Sequence, residues 1–181
     1  MPHKPFTHLG LTFDVDHYYL KRPRIVQKIV FNHRTFYAKF ERIERMPDPL
    51  LSQHHLSGDY TVALPLVHHG RIAYVVFEYK GEQAQRFIAL MRQLLTAKHY
   101  KSYALFYGKT HEKVQVFVPV DANSLSESDA IIRTLGEVID THFGREWKAL
   151  PSARLPEEYN IVTLPYEIIE ITGLASHGAS R

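Results

Sequence analysis

Between residues 82 and 98, Ala84, Phe87, Ile88, Met91, Leu94 and Leu95 recur at intervals of three and four, with Gln85, Arg86, Arg92 and Gln93 between them. That spacing puts one apolar stripe on a helical cylinder and predicts a helix. A second stripe, Ile131, Ile132, Leu135, Val138, Ile139 and Phe143, predicts another helix over 127–143, with Ser126 as its N-cap and Gly144 as its stop. Elsewhere the pattern shortens to strand-like runs at 24–31, 35–43, 60–67, 71–79, 102–107, 113–120 and 159–164. Asn32-His33-Arg34 and His68-His69-Gly70 read as the turns of two hairpins. Pro65 has no backbone N–H to give to a ladder, which predicts an edge position for its strand. Residues 46–59, with two prolines and a glycine, read as a loop, and 165–171 extends the last strand or turns helical.

From residue 71 the order is strand, helix, strand, strand, helix, strand. This predicts an α+β fold with a split βαββαβ core of the kind seen in RNA-recognition-motif and ferredoxin-like folds, preceded by an N-terminal antiparallel hairpin. In such a core the helices cover one sheet face and the other is expected to lie open. The expected organisation is an N-terminal basic hairpin module at 1–59, an α+β body at 60–172 and a flexible tail at 173–181.

Composition narrows the classes. With 181 residues, 45% of them apolar and 12% aromatic, the chain can bury a sizeable core. It has no cysteine, which excludes disulfides and thiolate metal sites. No apolar run approaches a membrane span and the first residues lack the apolar stretch of a secretory signal, so a cytoplasmic location without membrane partners is expected. The net charge of +3 is small but unevenly placed. Lys21, Arg22, Arg24, Lys28, Arg34, Lys39, Arg42 and Arg45 face only Glu41 and Glu44, whereas acids dominate after Pro151. A basic N-terminal third can face phosphate, or can be an ordinary solvated surface.

Two segments carry the chemistry. VVFEYK ends one strand of the core, and KTHEK leads into VQVFVPVD, followed by a helix that begins SESDA. Over roughly residues 71–145 this order resembles the primase-polymerase domains of the archaeal-eukaryotic class. The segment DHYYLKRPRI, together with this body, also resembles a small uncharacterised family of Helicobacter and Campylobacter relatives. The first resemblance implies nucleotide chemistry on the open sheet face, where an Asp-x-Asp pair and a histidine would hold metal and phosphate. In this chain those positions read Glu78, Lys80 and Gln115. A lysine cannot ligate Mg²⁺, and two-metal phosphoryl transfer needs bridging carboxylates. The resemblance therefore implies a degenerate site that binds and does not transfer nucleotidyl groups.

The expected nucleotide-binding residues are Glu78, Lys80, Lys109, His111, Lys113, Gln115 and Phe117. Lysines would neutralise phosphate and the Phe117 ring would stack on a base; otherwise the hairpin is a charged surface and Phe117 a core residue. Lys21, Arg22, Arg24, Lys28, Arg34 and Tyr37 are the expected nucleic-acid contacts. The expected ligand is a nucleotide or single-stranded nucleic acid, with a nucleoside triphosphate as the candidate cofactor ahead of Mg²⁺ or Mn²⁺. Two other readings stay open: an active nucleotidyl transferase using Glu78 or the Asp14/Asp16 pair, and a protein-interaction module. Asp14 and Asp16 form the chain's literal Asp-x-Asp. His54-His55 and His68-His69 are adjacent pairs that, on a strand, would point to opposite faces and not chelate. No nucleophile elbow and no GxxxxGK[ST] loop occur.

Overall fold

The structure, a computed structural model, describes residues 4–174. In chain order the N-terminal elements are β1 (Phe6–His8), β2 (Leu11–Phe13), β3 (Tyr18–Lys21), β4 (Gln27–Phe31), β5 (Arg34–Ala38), β6 (Phe40–Ile43) and α1 (Leu50–Ser57). Next come β7 (Val62–Pro65), β8 (Val67–His68), β9 (Arg71–Lys80), α2 (Ala84–Ala97), β10 (Tyr103–Tyr107) and β11 (Lys113–Ala122). The chain continues through α3 (Leu125–Phe143), β12 (Trp147–Leu150), β13 (Ile161–Thr163) and β14 (Glu167–Thr172). The fold is α+β with antiparallel sheets and an N-terminal hairpin, β4–β5. The expected tail, 173–181, lies outside the described residues from 175 onward.

The central sheet runs β12-β9-β11-β10-β14, every neighbouring pair antiparallel. Beginning at β9, the order β-α-β-β-α-β folds so that β11 inserts between β9 and β10, the split βαβ arrangement. The fourth strand of that unit is not 159–164, as expected from sequence, but the four-residue β12. Its neighbour Gly136 explains why so short a strand docks: a Cβ there would lie 2.8 Å from the Trp147 ring, so only glycine lets α3 and β12 approach. Residues 161–163 instead pair with β7 in a second sheet, β13-β7-β3-β6.

Successive residues of β9 point to opposite faces. Val75, Phe77 and Tyr79 meet the buried stripe of α2, all six of the residues expected, and Leu135, Ile139 and Phe143 of α3. Tyr79 stacks on Phe87 with ring centroids 5.0 Å apart, and its hydroxyl accepts a hydrogen bond from Gln83 N at 2.9 Å. Tyr74 and Val76 lie on the other face, which is not open. It is covered by the second sheet and the β1–β2 hairpin, through Phe13, Val62, Leu64, Val162 and Leu164. The β1–β2 hairpin and the strands of the second sheet supply the apolar cover that the β9–β12 unit lacks on that side.

Several local expectations change for physical reasons. The N-cap of α3 is Ser124: its hydroxyl accepts from Glu127 N (3.2 Å), and the Glu127 carboxylate reaches back to Asn123 N (2.9 Å), a reciprocal cap two residues earlier than expected. The 46–59 loop contains α1, begun by Asp48 accepting from Leu50 N and ended at Gly58, φ 88°. Strand β7 is interior despite Pro65, because β3 pairs only as far as Ala63 and leaves the proline one partnered side. The 35–43 run breaks at Lys39, where the chain leaves the hairpin for the second sheet. Both two-residue turns have positive φ at both positions, Asn32 and His33, then His69 and Gly70, which matches the right-handed twist of hairpin strands. No helix among the described residues is long and apolar enough to cross a membrane.

Candidate anion-binding cleft

Three cross-strand rows lead from the core to the surface on the second-sheet side of β9. The innermost, Leu150, Val76, Phe117 and Ala104, is wholly buried and apolar. The next is Lys148, Glu78, Gln115 and Phe106. The outermost pairs Lys80 with Lys113. Over three rows, about 13 Å at strand spacing, the face passes from hydrocarbon to amide and carboxylate and then to ammonium groups.

Glu78 and Gln115, both expected on an open face, are direct neighbours but covered, with 6% and 1% exposure. The Gln115 amide nitrogen donates to Glu78 Oε2 and to the Thr163 carbonyl, both at 2.8 Å. Its two protons are thereby used, so Gln115 braces the two sheets and has no donor left for a ligand. Glu78 Oε1 lies 3.4 Å from Lys148 Nζ, whose side chain is two-thirds exposed. Phe117 cannot stack on a base: it is fully buried against Phe13, Tyr74 and Phe106 with centroids 5.5–6.4 Å apart. The cause is the second sheet lying over the face that sequence reasoning left open.

Above this floor the two sheets part into a cleft of about 370 Å³ lined by Lys21, Lys39, Lys113, Lys148, Tyr37, Phe40, Tyr159, Thr163, Glu78 and Glu158, among others. An adjoining depression shares Lys21, Lys113 and Lys148 and adds Lys109 and Gln115. A third, containing Lys80 and Arg145, continues from Lys113 and Lys148 along the β9–β12 edge. The Tyr159 hydroxyl donates to the Tyr37 carbonyl at 2.8 Å and its ring meets Phe36 at 4.9 Å, fixing the aromatic wall.

The chain over Thr163–Tyr166 is held by two buried histidines. The His55 Nδ1 accepts from Val62 N (3.0 Å), so Nε2 carries the proton and donates to the Leu164 carbonyl (2.8 Å). His8 likewise donates from Nε2 to the Pro165 carbonyl (2.7 Å), with Ser52 at Nδ1. Burial pushes both rings below the ordinary histidine value, His55 to about 4. Neutral imidazoles are what this arrangement requires.

Of the thirteen expected site residues, Glu78, Lys80, Lys109, Lys113, Gln115, Lys21 and Tyr37 line the cleft or its extensions. His111 lies elsewhere, bonded to Glu167 (2.9 Å) and stacked on Tyr107. Arg22 pairs with Glu41, and Arg34 lies over Phe36 on the β4–β5 hairpin, which also carries Lys28. Arg24 precedes that hairpin and is exposed. Sequence reasoning missed Lys39, Lys148, Tyr159 and Thr163. Lys148 alternates with Trp147 and Ala149 in a strand too short to stand out, and the others depend on how the second sheet folds back.

Residues 10–74 match a family described as a domain of unknown function (DUF1882). No curated protein matches the chain. Among solved structures, the polymerase domain of Mycobacterium tuberculosis ligase D, in complex with DNA, is similar with a TM-score of 0.40 and 10% identity. The likeness covers 87% of this chain and 67% of that one. A likeness at that level carries neither site nor activity across.

Proposed function

We propose that the cleft binds a phosphate-bearing ligand, a nucleotide or a segment of single-stranded nucleic acid, at its lysine rim. One observation carries this reading: Lys21, Lys39, Lys113 and Lys148 come from separate parts of the chain to one cleft beside the Tyr37–Tyr159 wall, with Lys109 in the depression adjoining it. A cleft of a few hundred Å³ suits a nucleotide-sized ligand. Ammonium groups on flexible stems neutralise phosphate as point charges, and an aromatic wall adds roughly 1–3 kcal/mol per stacked base. Glu78 at the floor repels phosphate, so the anion sits on the rim and the carboxylate limits its depth. With Lys80 where a second carboxylate would have to stand, the site is one for binding and not for two-metal nucleotidyl transfer.

Fluorescence anisotropy with labelled single-stranded DNA and with deoxynucleoside triphosphates tests the proposal. Saturable binding at low salt that weakens steeply as salt rises is the expected result. Absence of binding to both ligands at low salt overturns it. A protein partner is a second reading, supported by Ile25, Val26, Val30 and Tyr37 standing exposed on and beside the β4–β5 hairpin. A stable protein partner recovered by a chain without nucleotide affinity would favour it.

A further inference from the structure

At the opposite end of β9, roughly 20 Å from Glu78 at strand spacing, the fold brings together residues from two distant motifs. Asp16 and His17 belong to the β2–β3 connection, and His68 ends β8, opposite Arg71 of β9. Asp16 Oδ1 lies 2.7 Å from His17 Nδ1 and 3.8 Å from His68 Nδ1, and one donor atom from each of the three residues lies within 4.8 Å of the others.

We infer that Asp16, His17 and His68 form a binding site for a divalent first-row transition ion, with Zn²⁺ the best fit to two imidazoles and one carboxylate. The donor chemistry selects this class. Imidazole nitrogen suits zinc and its neighbours, whereas Mg²⁺ and Ca²⁺ prefer all-oxygen shells. Ligands at about 2.0–2.1 Å from a tetrahedral ion stand a little over 3 Å apart. The observed separations bracket that value, so small side-chain rotations close the site.

A second observation concerns His17 itself. Its ring is nearly fully buried, yet Nε2 has no hydrogen-bond partner among the described residues. Nδ1, by contrast, is held on Asp16, so the ring already presents that nitrogen to the cluster, where an ion takes the place of its proton. The site also has an approach: His68 is one-fifth and Asp16 about half exposed. A depression of about 330 Å³ beside it is lined by His68, His69, Asp14 and Asp121. A three-ligand site with such an approach has room for water or a further ligand on the ion.

Isothermal titration of the full, chelator-treated chain with Zn²⁺ tests the inference, with Co²⁺ titration followed by visible absorption as the geometric readout. One equivalent of saturable binding is expected, weakened by about 10-fold or more in Asp16→Asn and in His68→Ala. His142→Ala, an exposed histidine on α3 far from the cluster in sequence, is expected to bind as the wild type does. Asp16→Asn keeps the shape of a half-exposed side chain, so it decides the matter if His68→Ala does not fold. No saturable binding, or undiminished binding in Asp16→Asn, overturns the inference.

Discussion

The two faces of the central sheet are built from alternate residues of the same strands, and they end differently. On the helix face the row after Phe77 is still apolar, with Tyr79 closed over by Phe87 and Phe143. On the other face the row after Val76 holds Glu78 and Gln115, and the row after that holds Lys80 and Lys113. A helix can follow a sheet to its end because its apolar stripe continues turn by turn. The second sheet cannot: its strands are short, and past Thr163 and Lys39 the layers separate. The cleft is thus the place where one face runs out of apolar cover: Glu78 and Gln115 are still covered and bond each other, and the lysines beyond them reach water.

The largest effect expected from this contrast concerns Phe117, which belongs to the apolar part of the cleft-side face. Phe117→Ala should lower stability by about 3–5 kcal/mol in urea denaturation. A stability change under about 1 kcal/mol, with loss of nucleotide binding, would return that ring to a ligand-stacking role. Next in size is the acid response of the cleft-side layer. The unfolded His55 titrates near 6.5 and the folded one near 4, so the unfolded chain binds the proton first. Stability is therefore full above pH 6.5 and falls by about 3 kcal/mol as pH drops toward 4. Urea midpoints across that window measure the loss, and His55→Gln should flatten it. If both proteins lose stability equally, the His55 account is wrong.

A smaller effect tests the floor. Glu78→Gln keeps an acceptor for the Gln115 amide and removes one negative charge beside Lys148. Single-stranded DNA affinity should rise about 3-fold, with stability changing by no more than about 1 kcal/mol given the exposure of Lys148. Weaker binding would mean that the carboxylate itself contacts the ligand, directly or through a metal ion.

Much of this architecture was legible in the sequence, and unevenly so. Helices α2 and α3 declared themselves because Phe87, Met91 and Leu95, then Leu135, Ile139 and Phe143, repeat along one stripe. The strand and helix order from residue 71 was legible too, and it sets the Glu78 and Gln115 strands side by side. What stayed hidden was non-local. Nothing near Phe117 announces that Phe13 and Leu164 will cover it, and four-residue β12 is too short for alternation to mark Lys148. The same distance hid the meeting of Asp16 and His68, which are separated by three of the second sheet's strands. Burial of Gln115 was also illegible, since an isolated polar residue in a strand reads as solvent-facing until its partners, Glu78 and the Thr163 carbonyl, are in place.

The central claim is that the lysine rim holds phosphate, and the salt dependence of single-stranded DNA binding tests it most directly. Each phosphate contact contributes about −0.7 to the slope of log affinity against log salt. Replacing Lys21, Lys113 and Lys148 together with alanine should therefore make the slope shallower by about 2 and weaken binding at every salt concentration. An unchanged slope and affinity in that triple variant, folded as the wild type, would contradict the account.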